Sequence, residues 1–213
     1  MGARLQRRSA KGRLQGDESQ RRGALLVRRE FLGVTDAFSL FGITARPIPD
    51  EAELKERYLR ASAAAHPDSG VGDAGRFAEL QEAYRVLSDP SARLRLLAGD
   101  DALAGRLGSP EIFLLVGGTM QAANAALQGR ASATSALARA VSMAECRAAA
   151  AKVTLALEAI AESRARFDTR LRDLDARWPA VEPGELAGLA SDYAFIGKWE
   201  SQLREAEFKL AHG

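Results

Sequence analysis

The chain has 213 residues, room for one large domain or two small ones, and 46% of them are hydrophobic but only 6% are aromatic. Small apolar side chains with few β-branched runs favour packed helices, and the formal net charge is only +2, from 30 basic and 28 acidic residues. The single cysteine, Cys146, and the lack of any Cys/His cluster of zinc-site spacing exclude an internal disulfide, a structural zinc and a self-ligated iron–sulphur cluster, so we expect no metal or cofactor.

Residues 1–35 predict a basic, mostly disordered tail. They hold nine Lys/Arg against three acidic residues, a balance of +6, and show no apolar periodicity. The arginines are compatible with a nucleic-acid arm or an organelle transit peptide, but charge runs alone are weak motifs, and a solvated extension or an early start codon is the preferred explanation. We therefore do not predict nucleic-acid binding. Only Leu25, Leu26 and Val27 run together, too few for a signal-peptide core, so we expect a soluble cytoplasmic protein.

Residues 36–98 predict a helical hairpin with short flanking elements. The segment "DAFSLFGI" predicts a short apolar turn, with Phe38 and Phe41 facing a core. The first long helix is expected to start at Asp50, with Glu53 as the reciprocal capping partner, and to stop before Pro67. Its apolar stripe has helical spacing: Leu54, Tyr58, Ala61 and Ala65. Lys55, Arg57 and Arg60 lie off that stripe, which predicts a basic outer face.

A glycine-rich loop and a second amphipathic helix complete the hairpin. The apolar positions of this helix are again at spacings of three and four: Phe77, Leu80, Tyr84 and Leu87. Two helices joined by so short a loop must lie antiparallel, with Phe38 and Phe41 closing the open side. Asp89 then caps a further short helix, with Pro90 in its first turn.

After a linker at residues 99–108, residues 109–213 predict an antiparallel three-helix bundle. The first helix runs from Pro110 to Gly129, and its Gly117-Gly118 pair is most simply explained by tight helix packing. Its apolar stretch, 112–127, is too short to span a membrane and contains Gln121 and Asn124.

The second helix of the bundle falls within residues 133–178, where two apolar seams repeat with coiled-coil spacing and include Cys146 as a buried position. The third runs from about residue 182 to residue 211. One of its faces carries most of its large apolar side chains: Leu186, Leu189, Tyr193, Ile196, Leu203 and Leu210.

One tripeptide stands at the turn of the hairpin: His66-Pro67-Asp68. Together with "DAFSLFGI", Tyr58, Ala83-Tyr84 and "VLSDPSAR", it makes residues 36–98 resemble a J domain, the module of co-chaperones that drives DnaK-type (seventy-kilodalton heat-shock) ATPases. The resemblance covers a little over a quarter of the chain. The expected fold is all-α, a J domain followed by a three-helix bundle.

The resemblance implies that this part of the chain docks on a DnaK-type chaperone. Lys55, Arg57 and Arg60 would steer the approach to an acidic surface. Asp68 would pair with an arginine near the interdomain linker of the chaperone, while His66 and Pro67 hold the loop in shape. The family usually has Lys or Arg after the tripeptide, whereas this chain has Ser69. A lone histidine is more often a solvated loop residue, but the flanking pattern favours the role in the tripeptide for His66.

The rest of the chain is similar to the HscB-type co-chaperones, which deliver an iron–sulphur scaffold protein to a specialised DnaK-like ATPase. The similarity rests on "LFGI", on the C-terminal bundle, and on the lack of a glycine/phenylalanine-rich spacer and of a CxxC module. It implies a client-binding face at Phe113, Leu114 and Leu115, although the acidic residues of that family are replaced by Val116–Thr119. A plain core role for Phe113 and Leu115 is the alternative.

Two other functions stay open. The bundle can hold a different client, or serve as an adaptor for dimerisation or partner binding, and the sequence does not decide the oligomeric state. We expect no enzymatic activity, because two histidines, one cysteine and no glycine-rich phosphate loop after a strand provide no catalytic constellation.

Overall fold

The computed structural model describes residues 34–66, 73–99 and 110–212, and their regular secondary structure is entirely α-helical, as predicted. The helices are α1 (Val34–Phe41), α2 (Glu51–Ala65), α3 (Ala74–Ser88), α4 (Pro90–Ala98), α5 (Pro110–Ser132), α6 (Ala136–Arg177) and α7 (Pro183–His212). Residues 1–33 of the predicted tail and most of the predicted linker lie outside these residues, whereas Val34 and Thr35, which are predicted to belong to the tail, begin α1. Within the described ranges, no helix combines the length and the apolar character needed to cross a membrane.

Helices α2 and α3 form the predicted antiparallel hairpin. The Tyr58 ring stacks on Tyr84, with ring centroids 4.1 Å apart, and the His66 ring packs edge-on against Phe77 at 5.3 Å. The end of α2 therefore contacts the start of α3, and residues earlier in α2 contact residues later in α3, as expected for antiparallel helices. Asp50 caps α2 as predicted, because its Oδ1 accepts hydrogen bonds from two backbone N–H groups of the first turn.

Three local details of this hairpin differ from the prediction. The Glu53 carboxylate is bound by Arg57, with an Nη2–Oε1 distance of 3.0 Å, and does not close the expected capping box. The "DAFSLFGI" segment forms helix α1, which ends where Gly42 adopts a positive φ of 62°. Asp73 caps α3 by accepting from the N–H of Gly75 at 2.8 Å, a cap that the sequence reading missed.

The C-terminal helices form the predicted three-helix bundle, with α5 and α7 parallel to each other and antiparallel to α6. Cys146 on α6 is buried next to the carbonyl of Ala126 on α5. At the α6–α7 contact, Tyr193 donates a hydrogen bond of 2.6 Å to Asp168. The apolar face predicted for α7 is buried throughout: Leu186, Leu189, Tyr193, Ile196, Leu203 and Leu210.

Two predictions about α5 are wrong. The helix does not stop at Gly129 but continues to Ser132, because Arg130 in the last turn donates hydrogen bonds to the carbonyls of Lys209 and Leu210 on α7. Gly117 and Gly118 are exposed, and a Cβ added at either position would meet no atom within 4 Å. Tight packing therefore does not explain the glycine pair.

The short helix α4 joins the hairpin to the bundle. It packs on α7, where five consecutive residues, Leu186–Ala190, are buried because α4 covers one side of the helix and α6 covers another. The Ser91 hydroxyl on α4 donates a buried hydrogen bond of 2.8 Å to the carbonyl of Ala190. The buried apolar side chains of the hairpin and the bundle consequently form one continuous core.

Candidate functional site

The outward face of α2 carries the three basic residues predicted to steer docking. Lys55 and Arg60 are exposed and Arg57 is partly exposed, so the helix presents all three to solvent. The same helix also carries Glu51, Glu53 and Glu56, which brings its formal charge to zero.

Two of the three basic residues are paired within α2. Arg57 forms an ion pair with Glu53 at 3.0 Å, and Arg60 forms one with Glu56; both pairs have i,i+4 spacing, the arrangement in which side chains on a helix meet. The prediction of a basic outer face is therefore wrong in its net charge. The surface that would approach a partner alternates charges of both signs, so steering depends on pairs that water and salt weaken.

An apolar side chain also lies on this face. Leu59 has 56% of its surface exposed and stands between Lys55 and Arg60. The sequence contained a sign of this exposure, because Leu59 falls off the Leu54/Tyr58 stripe. A leucine exposed among charges supplies apolar contact area to a partner that docks here.

The tripeptide at the hairpin turn is described only at its first residue. His66 follows the last turn of α2, and its edge-on contact with Phe77 ties the start of the loop to α3. Pro67, Asp68 and Ser69 lie outside the described residues. The two helix ends that flank them are antiparallel neighbours, so the tripeptide belongs to the connection between the two helices.

A family model for the DnaJ domain matches residues 36–96, the range that contains most of α1, the α2–α3 hairpin and most of α4. This part of the chain is a J domain. The J domain thus carries Lys55, Arg57 and Arg60 on its second helix, and His66-Pro67-Asp68 follow that helix in the sequence.

Three curated relatives show how far the similarity extends. The chain is 39% identical over 59 residues to Protein SIS1 of Saccharomyces cerevisiae, which is 28% of this chain and 16% of that protein. It is 39% identical over 75 residues to Chaperone protein dnaJ 2 of Arabidopsis thaliana, covering 35% and 17%. It is 46% identical over 61 residues to Chaperone protein DnaJ of Caulobacter vibrioides, covering 27% and 15%. The chain therefore spans about a sixth of these relatives, and no solved structure matches it significantly.

The second candidate surface lies at the start of α5. Phe113, Leu114 and Leu115 have 50%, 72% and 42% of their surfaces exposed, while Ile112 and Val116 face the core. The alternative of a core role for Phe113 and Leu115 is therefore wrong. Three consecutive exposed apolar side chains on a helix are the kind of surface that marks a contact with another protein.

Aromatic side chains of α7 support this surface from below. The Phe113 ring lies edge-on to Trp199, with centroids 6.0 Å apart, and Trp199 packs edge-on against Phe195 at 5.7 Å. In the described part of the chain, the buried Nε1 of Trp199 has no hydrogen-bond partner. Trp199 is nine residues beyond Ala190, the residue that accepts from α4, so the apolar surface begins about 13 Å along α7 from the J-domain contact.

The exposed side of α5 is also uncharged. Between Glu111 and Arg130 the helix contains no charged residue, and Gly117 and Gly118 leave it without side chains next to Leu114. A partner backbone can approach such a surface closely. Among the described residues, no group of three or more His, Cys, Asp or Glu side chains is arranged to hold a metal ion.

Proposed function

We propose that this protein is a J-domain co-chaperone that docks on a DnaK-type chaperone and stimulates its ATPase, without catalytic activity of its own. The observation that carries the proposal is the J domain itself, whose sequence places His66-Pro67-Asp68 between the two helices of the antiparallel hairpin. Its curated relatives include chaperone proteins of the DnaJ type.

In this proposal the residues of the J domain act at different stages of docking. Lys55, Arg57 and Arg60 take part in the first encounter, where exposed charges change association rates more than final affinity. Asp68 pairs with a basic group of the chaperone and loses its water on docking. Loss of a desolvated charge costs more than loss of an exposed one, because the partner charge is left buried and unpaired.

The test is stimulation of a purified DnaK-type ATPase by the full chain. Wild type is expected to stimulate, and Asp68→Asn to lose most of that stimulation. Asp173→Asn, an exposed carboxylate on α6 that pairs only within its own helix, is the matched control and should behave as wild type. Equal stimulation by wild type and Asp68→Asn would remove the central claim.

We further propose that the bundle holds a client in the manner of the HscB-type co-chaperones, with an iron–sulphur scaffold protein as the first candidate. Support comes from the exposed Phe113, Leu114 and Leu115 and from the short separation between this surface and the J domain. The uncharged α5 favours an apolar, neutral client surface over a basic one. This partner and a cytoplasmic location remain predictions.

Calorimetry with a scaffold protein tests the client. Leu114→Glu is expected to abolish binding, whereas Leu137→Glu, which changes an equally exposed leucine on α6, should not. No heat of binding to folded wild type would remove the scaffold as client and leave a different client or an adaptor role. Light scattering on the same sample addresses the adaptor alternative, because a strict monomer excludes a role in dimerisation.

A further inference from the structure

The segment of residues 43–50 connects α1 to α2 inside the J domain without regular secondary structure, so its backbone polar groups need partners from other elements. Two of these partners come from the end of α6. Trp178 Nε1 donates to the carbonyl of Ala45 at 2.9 Å, and the N–H of Ile48 donates to Asp175 Oδ1 at 2.9 Å. The bundle therefore binds the backbone of a J-domain segment more than 120 positions earlier in the chain.

Asp175 makes the largest set of these contacts. Arg46 Nε donates to its Oδ1 at 3.0 Å, and the Arg46 Nη2 donates to its Oδ2, so the guanidinium binds both carboxylate oxygens. The carboxylate is only 12% exposed. Its burial raises the pKa, but the hydrogen bonds from Arg46 and the Ile48 N–H, together with the positive charges of Arg46 and Arg93, outweigh that effect and lower the pKa of Asp175 below its ordinary value.

A second cation completes the contact. Arg93 on α4 is buried and donates through Nε to the carbonyl of Pro47 at 2.8 Å and through Nη1 to the carbonyl of Leu87. Burial lowers the pKa of Arg93, and Asp175 is among the acidic groups whose charge opposes that shift. Residues 45–48 are thus held from two sides, by α6 of the bundle and by α4.

We propose that Asp175 is a positioning residue for chaperone docking, because it holds residues 46–48 against the bundle and so sets the pose of α2. Ile48 stands only two residues before Asp50, the cap of α2, so a change in the segment moves the start of the helix that carries Lys55 and Arg57. The J domain then presents its docking helix in an orientation that the bundle determines. This inference rests on the proposed function.

The experiment compares Asp175→Ala with wild type in two assays on the full chain. Asp173→Ala is the matched control, since Asp173 lies two residues away on the same helix, is exposed and binds only Arg177. Hydrogen exchange followed by NMR should show the Ile48 amide, which Asp175 binds directly, exchanging faster in Asp175→Ala. In the ATPase assay, the concentration of co-chaperone giving half-maximal stimulation should rise about fivefold while the maximum is unchanged.

The outcomes separate this inference from the proposed function. If wild type stimulates the chaperone and Asp175→Ala does so with the half-maximal concentration of the control, the positioning role is wrong. An unchanged rate for the Ile48 amide would overturn it as well. If wild type gives no stimulation, the proposed function fails and the docking role of Asp175 falls with it. Arg46→Gln, which removes the partner and leaves the buried core unchanged, should give a weaker shift in the same direction and serves if Asp175→Ala does not fold.

Discussion

The ion pairs of α2 predict that removing two of its charged residues strengthens docking, whereas removal of charged residues from a docking surface usually weakens it. Glu53→Gln combined with Glu56→Gln releases Arg57 and Arg60 from their intrahelical partners and changes the formal charge of α2 from zero to +2. If α2 approaches an acidic surface of the chaperone, the double variant should dock more tightly than wild type. The gain should disappear with added salt.

The magnitude follows from Coulomb's law. Two unit charges about 8 Å apart in water attract by about 0.5 kcal/mol, so two released arginines contribute about 1 kcal/mol, or a roughly fivefold change in affinity at low ionic strength. At about 0.15 M salt the Debye length is about 8 Å, which reduces the effect to roughly twofold. The cost in folding is small, since exposed i,i+4 pairs stabilise a helix by about 0.3–0.5 kcal/mol each.

The assay is the concentration of co-chaperone that gives half-maximal ATPase stimulation, measured at low and at physiological salt. The matched control is Asp173→Asn combined with Glu205→Gln, which also breaks two exposed i,i+4 pairs and also removes two negative charges, but on the bundle. A shift no larger than that of the control, or one that does not depend on salt, would show that the charges of α2 do not steer docking.

Two further predictions concern stability. Gly117→Ala and Gly118→Ala should each stabilise the protein by about 1 kcal/mol in thermal or urea unfolding, because both sites are exposed helix positions where an added Cβ meets no atom within 4 Å. Destabilisation by either substitution would contradict this explanation. Asp175→Asn should lower the free energy of unfolding at pH 7, and the difference from wild type should shrink as the pH falls below about 4. The reason is that a carboxylate whose pKa is lowered in the native state stabilises the fold above its unfolded pKa, and this stability is lost on acidification. A difference that stays constant between pH 7 and pH 2 would contradict the role of the Asp175 charge.

The helices of this protein were predictable because their determinants are local. Leu54 and Tyr58 repeat with the helical period, and Asp50 and Asp89 accept hydrogen bonds from first-turn N–H groups. The residue before a proline is disfavoured in a helix, and α2 ends at Ala65, shortly before Pro67. One error arose where a distant group overrides the local rule. Gly129 is a usual helix stop, yet Arg130 is anchored to carbonyls of α7 some 80 positions away, and that contact extends the helix.

The exposure of the three basic residues of α2 was predictable from the sequence, but the net charge of their face was not predicted correctly. Lys55, Arg57 and Arg60 were found by leaving out the apolar stripe, but the acidic residues on the same face needed to be counted with them. The contact between the J domain and the bundle could not be found from local patterns, because Asp175 and Ile48 are 127 positions apart. One sign was present: "LAGLA" at 186–190 has no polar side chain, which indicates a helix segment covered on more than one side.

Helix α7 connects the two surfaces of the protein. Near its start it is buried against α4 of the J domain, and about 13 Å further along, Trp199 supports Phe113 at the exposed surface of α5. A client that binds Phe113 and Leu114 therefore lies close to the J domain, and the contacts of Asp175 with Arg46 and Ile48 keep the docking helix from turning independently of that client. In a co-chaperone joined by a flexible linker, the client and the chaperone meet through an effective concentration set by linker length. Here the shared core holds the J domain and the exposed surface of α5 in one relative orientation. Changes at Asp175 should therefore affect delivery of a client more than they affect binding of that client to the bundle.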